Sequence, residues 1–392
     1  MSKWEWKKLK DICEKASSNI KQSDLKDLTG DYPIFGASGY IQNVDFYQRD
    51  RDYIGIIKDG SGVGRTMLLP AFSSVIGTLQ YILPKEGNDI KFINYALQNI
   101  DFSKSVQGAA IPHIYFKDYG ETEILLPPLS EQKRIVKFLD EEFSKIETLK
   151  TNAETNLKNA KELFETTLEK ELNPLSRHSE RSEESSADLP SGWEWKTLRE
   201  LCILRPSKNE ALSHLKGTDE VSFLPMEDLN IRERNTIPHK SRALSEVHGS
   251  YTFFAEGDVL LAKVTPCFEN GKMGIASNLL NGVGFGSSEY IVFRTTKSMI
   301  NSYLFYVLMS SRFISGGKKQ MLGACGLKRL SKEYVESFQI PLPPLSVQKE
   351  IVARLDKLSE NVKRLEANYK QTIANCDELK KSILKKTFEG ES

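Results

Sequence analysis

The sequence predicts a mixed α/β protein in which two globular domains are separated by two long helices. These helices form an antiparallel coiled coil, and the whole is a pseudo-two-fold internal repeat. Three observations carry that prediction. The segment Trp4-Glu5-Trp6-Lys7-Lys8-Leu9, with Cys13 after it, returns as Trp193-Glu194-Trp195-Lys196-Thr197-Leu198 with Cys202. Pro127-Pro128-Leu129-Ser130-Glu131-Gln132-Lys133 returns as Pro343-Pro344-Leu345-Ser346-Val347-Gln348-Lys349. A heptad-patterned stretch follows each Pro-Pro-Leu-Ser border.

The first pair of matches lies 189 residues apart and the second 216, so the copies share their borders and differ by 27 residues inside. Held ends around a variable middle fit a scaffold with two exchangeable working heads, and simple duplication of an ordinary domain ranks behind it. The first domain, 1–129, contains short β-type runs at Tyr53–Ile57 and Gln80–Leu83 and a helical stretch at 92–100. Ser130 is placed to cap a helix over 130–172. A solvated connector, 173–190, holds Ser-Arg-His-Ser-Glu-Arg-Ser-Glu-Glu-Ser-Ser and has almost nothing to bury. The second domain, 191–345, has strand patterns at 258–262 and 290–293 and a helical stretch at 302–311. Ser346 is placed to cap the last helix, 346–392.

In that last helix Ile351, Leu355, Leu358, Val362, Leu365 and Tyr369 alternate spacings of four and three. The corresponding seam in the first helix includes Ile135, Leu139, Ile146 and Leu149. Segment 131–172 carries 8 basic and 10 acidic residues and segment 347–388 carries 10 and 6, so each is the natural partner of the other. Antiparallel pairing would follow if each helix leaves its domain in the same way, although the connector could also stretch far enough for parallel pairing.

Composition points to a soluble, cytoplasmic protein. No run approaches the ~18 apolar residues of a membrane span, and the chain opens without a signal-peptide pattern. The cysteines at 13, 202, 267, 325 and 376 have neither disulfide-framework nor zinc spacing. Catalytic patterns are missing as well: the histidines form no metal-spaced pair, and no HExxH, GxSxG or complete phosphate-binding loop occurs. Glu269 with Lys272 is faintly like a nuclease pair, but the first copy lacks the carboxylate. The net charge of +1 is low for a protein that binds duplex DNA alone.

Three matched segments are candidates for DNA contact. Lys58, Ser61 and Arg65 lie in a Gly-rich loop, matched by Lys263, Thr265, Asn270 and Lys272. Either loop alone could be a plain hairpin. Their recurrence favours a loop aimed at DNA, where Lys and Arg reach phosphates or guanine edges. Ser74, Thr78 and Gln80 are matched by Ser287, Ser288 and Glu289, polar groups suited equally to base edges and to turn capping. Gln107-Gly108-Ala109-Ala110-Ile111-Pro112-His113 is matched by Gly323-Ala324-Cys325-Gly326-Leu327-Lys328-Arg329, where Lys328 and Arg329, with Lys318 and Lys319 nearby, make the second copy the more basic.

Taken together, Leu189-Pro190-Ser191-Gly192-Trp193-Glu194-Trp195, Gly257-Asp258-Val259-Leu260-Leu261-Ala262-Lys263, Gly286-Ser287-Ser288-Glu289-Tyr290 and the two Pro-Pro-Leu-Ser-x-Gln-Lys borders resemble the specificity (S) subunit of a Type I restriction-modification system. The resemblance spans essentially the whole chain. The first copy departs from it at Ser74–Gln80, where Gly-Ser-Ser-Glu is missing. It implies two target recognition domains reading a split double-stranded DNA sequence whose gap is set by the helices. It also implies methyltransferase (M) subunits, in the number of two, that dock on the helices and methylate adenine with S-adenosylmethionine. Motor-nuclease (R) subunits using ATP and magnesium would add translocation and cleavage. The chain itself would then hold no cofactor or metal and perform no catalysis. Two other readings are a coiled-coil scaffold with no DNA role and an enzyme fused to its own recognition domain.

Overall fold

Each copy of the repeat closes at its borders. The Trp-bearing strand Glu5–Lys8 pairs antiparallel with Glu123–Leu126, Glu5 opposite Leu126. In the second copy Glu194–Thr197 pairs with Gln339–Leu342, Glu194 opposite Leu342. The first repeated segment is therefore one side of a small sheet, the second begins directly after the other side, and the interior that differs between the copies is threaded between them. Leu9 and Leu198, which follow these strands, are fully buried, whereas Trp6 and Trp195 remain exposed.

The computed structural model describes residues 4–108, 111–173, 189–324 and 326–389. Most of the connector expected over 173–190 lies outside these residues, as do Ala109, Ala110 and Cys325 of the third matched segment. Two units are distinguished: Met1–Thr155 with Tyr369–Ser392, and Asn156–Asn368. Each contains one head and part of both long helices.

The head of the first unit is built on a four-stranded sheet ordered Cys13–Ser17, Leu79–Pro84, Tyr53–Ile57, Thr66–Leu69. A three-stranded sheet accompanies it. The head of the second unit uses the equivalent strands Cys202–Leu204, Tyr290–Thr295, Val259–Ala262 and Met273–Ala276, extended by Asn235–Thr236, with a four-stranded companion. A hairpin of Met321–Ala324 and Leu327–Leu330 is added there. The central strands are buried on both faces: Ile54, Ile56, Val259, Leu260 and Leu261 are all fully buried, which is why they read as continuous apolar runs. The expected helical stretches form as Ile90–Gln98 and Asn301–Met309, packed against these sheets.

The long helices run over Leu129–Leu172 and Leu345–Glu389. Ser130 and Ser346 are not their caps. The helices begin one residue earlier, and the carbonyls of Pro128 and Pro344 accept from the amides of Gln132 and Gln348 at 3.0 Å each. Proline suits a helix start because its missing N–H has no partner to lose there.

Antiparallel pairing is decided in the first unit, where Lys150 bonds Asp377 at 2.7 Å and Lys380 bonds Glu147 at 3.1 Å. The numbers rise along one helix as they fall along the other. The second unit adds Arg354–Glu171 at 2.6 Å. These solvent-facing pairs mark the register and contribute little to stability. The apolar seam does the holding. In the first unit Ile135, Leu139, Leu384 and Phe388 join the core of the head, and in the second Leu168, Leu172, Ile351 and Leu355 do the same.

The expected seam needs correcting at two residues. Ile135, Leu139, Ile146, Ile351, Leu355 and Val362 are buried, and Leu358 and Tyr369 are half-buried. Leu149 and Leu365, however, are 55% and 38% exposed. Their heptad place is taken by the next residue along, Lys150 and Glu366, which face inward by half.

Candidate nucleic-acid interface

In each head the three matched segments meet at the end of one central strand. In the second, strand Val259–Ala262 delivers Lys263. The Lys263 amide donates to the carbonyl of Glu289 at 2.9 Å, and its carbonyl accepts from the amide of Leu330 at 2.8 Å. Thr265 donates from its amide (2.9 Å) and its hydroxyl (3.2 Å) to the carbonyl of Lys328. The first head repeats this with shorter loops. The Lys58 amide donates to the carbonyl of Thr78 at 3.0 Å, and the Lys58 carbonyl accepts from Ile114 at 3.0 Å. Matching hydrogen bonds thus place Thr78 where the second head has Glu289, and His113 where it has Arg329. Gly60, at φ +97°, donates to the carbonyl of Pro112 at 2.9 Å and allows the loop to turn there.

The second head gathers charge at this spot. Arg329 donates to Glu289 from Nε at 2.9 Å and from Nη2 at 2.8 Å. That pairing holds the Glu289 carboxyl below the usual carboxylate range. Lys263 donates to the carbonyl of Ser288 at 2.9 Å and lies 3.8 Å from Glu289. Burial pushes its ammonium below the ordinary lysine value, with Glu289 opposing. Ser287 accepts from the Glu289 amide at 3.2 Å and caps the turn. Ser288, Asn270, Lys318, Lys319 and Lys328 are exposed.

The first head is less charged. Ser61 and Arg65 are exposed, and Arg65 donates to the carbonyl of Ala37 at 3.3 Å. Lys58 sits 3.8 Å from Asp59. Gln107 exchanges backbone bonds with His113 and donates from its side chain to Asp118 at 3.1 Å. The Thr78 hydroxyl is buried without a partner among the described residues.

Three candidates do not face outward. Ser74 is fully buried, and its hydroxyl accepts from the amide of Gln48 at 2.9 Å. Gln80 is buried and accepts from the hydroxyl of Tyr119 at 2.7 Å. Both satisfy core polar groups, so neither is available to a ligand. Lys272 is tied down by the carbonyls of Met226 at 2.8 Å and Glu227 at 3.4 Å and fastens its own loop.

The sequence reading overlooked how the heads are anchored. Gln132 donates to the carbonyl of Pro127 and accepts from the amide of Asp89, both at 2.8 Å. Gln348 does the same with Pro343 and Ile300 at 2.9 Å and adds the carbonyl of Ser298 at 2.9 Å. Tyr95 donates to Asp140 at 2.5 Å and Tyr306 to Asp356 at 2.6 Å, each from a head helix to a long helix. The signal for the glutamines was in plain view, because Gln recurs in both border motifs.

Among the described residues, no group of three or more His, Cys, Asp or Glu is placed to hold a metal. No helix among them is long and apolar enough to cross a membrane.

Residues 1–159 and 190–375 match a family described as the Type I restriction modification DNA specificity domain. Over 209 residues the chain is 35% identical to the type I restriction enzyme EcoAI specificity subunit of Escherichia coli. That stretch is 53% of this chain and only 34% of the relative. Among solved structures, a chain from work on the complex assembly and conformational transition of the type I R-M system superposes with a TM-score of 0.70 at 19% identity, covering 98% of this chain and 97% of that one. The HsdS subunit from Thermoanaerobacter tengcongensis superposes with a TM-score of 0.55 at 19% identity, covering 99% and 97%. Both likenesses concern the fold: two heads on paired long helices.

Proposed function

From the premise that the chain belongs to the Type I restriction modification DNA specificity domain family, we propose that it is a non-catalytic specificity subunit reading a bipartite double-stranded DNA target. Each head reads one half, and the paired helices fix the gap. Two methyltransferase subunits carrying S-adenosylmethionine methylate adenine at the site chosen. Motor-nuclease subunits bring ATP and magnesium, and the assembly works in the cytoplasm.

The observation that carries this reading is the convergence in both heads of three separately matched segments on one strand-end lysine, Lys58 and Lys263. The duplicated fold repeats the backbone of this loop cluster, while the side chains it presents differ between the heads, as two readers of different half-sites would need. The net charge of +1 fits a subunit that shares phosphate contacts with its partners. Exposed leucines offer those partners a surface: Leu149 and Leu379 in the first unit, Leu163 and Leu365 in the second. Isolated exposed leucines are ordinary, and it is their recurrence at equivalent places in the repeat, two on each paired-helix segment, that supports a docking role.

The test is to express the chain with its methyltransferase partner and map methylated adenines by long-read sequencing. A split motif is expected, and exchanging residues 1–129 for another head should change one half alone. A symmetric, unsplit motif would refute the proposal, as would methylation by the isolated chain.

A further inference from the structure

The contact between Arg329 and Glu289 says more than that the second head is basic. The guanidinium of an arginine has two paired donor edges, Nε–Nη2 and Nη1–Nη2. The edge containing Nε is occupied by both oxygens of Glu289, at 2.8 to 3.1 Å. Nη1 makes no hydrogen bond among the described residues, and the side chain is 46% exposed. What is left is the Nη1–Nη2 edge, two parallel N–H donors held at a fixed angle. That pattern matches O6 and N7 of guanine in the major groove, whereas adenine presents a donor beside N7 and repels it.

Glu289 is itself immobilised. Its amide bonds Ser287 Oγ, its carbonyl accepts from the Lys263 amide, and Lys263 Nζ approaches its carboxylate. With both oxygens engaged by Arg329 it is a buttress, with little capacity left to accept from a cytosine amino group. The hairpin that carries Arg329 is tied to the same strand end through Leu330 and Lys263. The arginine is therefore pre-positioned, so little side-chain entropy is lost on contact. We infer that Arg329, braced by Glu289, reads a guanine in the half-site bound by the second head. The first head has His113 and Thr78 at these places and lacks both the arginine and its brace, so the preference belongs to one half-site. This inference rests on the DNA-reading function proposed above and specifies it.

The experiment uses the assembled complex with its methyltransferase partner and duplexes carrying its mapped motif. Each guanine of the second half-site is replaced in turn by 7-deazaguanine, which pairs normally but lacks the N7 acceptor. One replacement should weaken wild-type binding roughly ten- to hundredfold. Arg329→Ala should bind the native duplex correspondingly less well and should no longer respond to that replacement. Glu289→Gln should show a reduced response at the same position. A wild-type scan with no sensitive guanine overturns the inference without any variant having to fold. So does an Arg329→Ala protein that keeps the wild-type response. If Arg329→Ala instead weakens binding to all duplexes alike and lowers the salt slope by about one, the arginine contacts phosphate, and the inference falls while the DNA-reading function stands. Absence of any specific binding by the wild-type complex refutes both.

Discussion

Gln348 shows how much one side chain can secure. It is fully buried and holds three backbone groups: the carbonyls of Pro343 and Ser298 and the amide of Ile300. Gln348→Ala would deprive all three of this partner: the Pro343 carbonyl is buried and the Ile300 amide half-buried, where an unsatisfied group costs about 1–3 kcal/mol, while exposed Ser298 can turn to water. Relaxation and water entry offset part of that, so a loss of about 3 kcal/mol is expected in urea unfolding. Gln132→Ala, which strands two groups, should cost less. Equal losses would mean that the extra Ser298 bond contributes nothing. At this scale the sequence was a mixed guide. Lys263, Glu289 and Arg329 were recognisable because they recur or carry charge. Ser74 and Gln80 have the same chemistry as base-reading residues, and only the packing around Gln48 and Tyr119 shows that their bonds are already spent.

The long helices were legible as elements and as partners, because alternating apolar spacing and complementary charge both survive in the folded chain, whereas their direction is fixed by the Lys150–Asp377 and Lys380–Glu147 pairs. The choice of face was not fully legible. Leu149, Leu163, Leu365 and Leu379 share one heptad place and tempt the eye into the seam, yet all four are exposed. An apolar residue three or four positions along satisfies a heptad equally well on paper, and the partner helix decides between them. The consequence is measurable. Leu355→Ala, at a fully buried position, should cost about 2–5 kcal/mol, whereas Leu365→Ala should stay within about 0.5 kcal/mol of wild type. If the exposed leucines receive methyltransferase subunits, Leu149→Asp with Leu379→Asp should leave the melting temperature unchanged and abolish co-purification of the partner. Retained co-purification would place the docking face elsewhere. Helix length has its own readout. Removing one heptad at facing levels of both helices keeps the seam and shortens the pair by about 10 Å, so the gap in the methylated motif should contract by about three base pairs. An unchanged gap would show that the helices do not set it.

At the scale of the whole chain, the repeat gives each unit its own core while the same two helices run through both. The first core contains Cys13 with Leu139, and the second contains Cys202 with Leu355. Burial pushes both thiols up to about 12. At pH 8 the reactive thiolate is therefore a trace species, and both cysteines should resist alkylation until their unit opens. This makes each thiol a reporter of one unit. Leu139→Ala removes a fully buried side chain from the first core, with an expected cost of about 2–5 kcal/mol. If the cores are separate thermodynamic units, the variant should label at Cys13 at least about tenfold faster than wild type while Cys202 labels at its original rate. A parallel rise at both cysteines would instead show that helix continuity transmits the loss. In that case a destabilising change in one reading head would weaken the other, and exchange of heads between specificities would require stability to be matched across the whole chain.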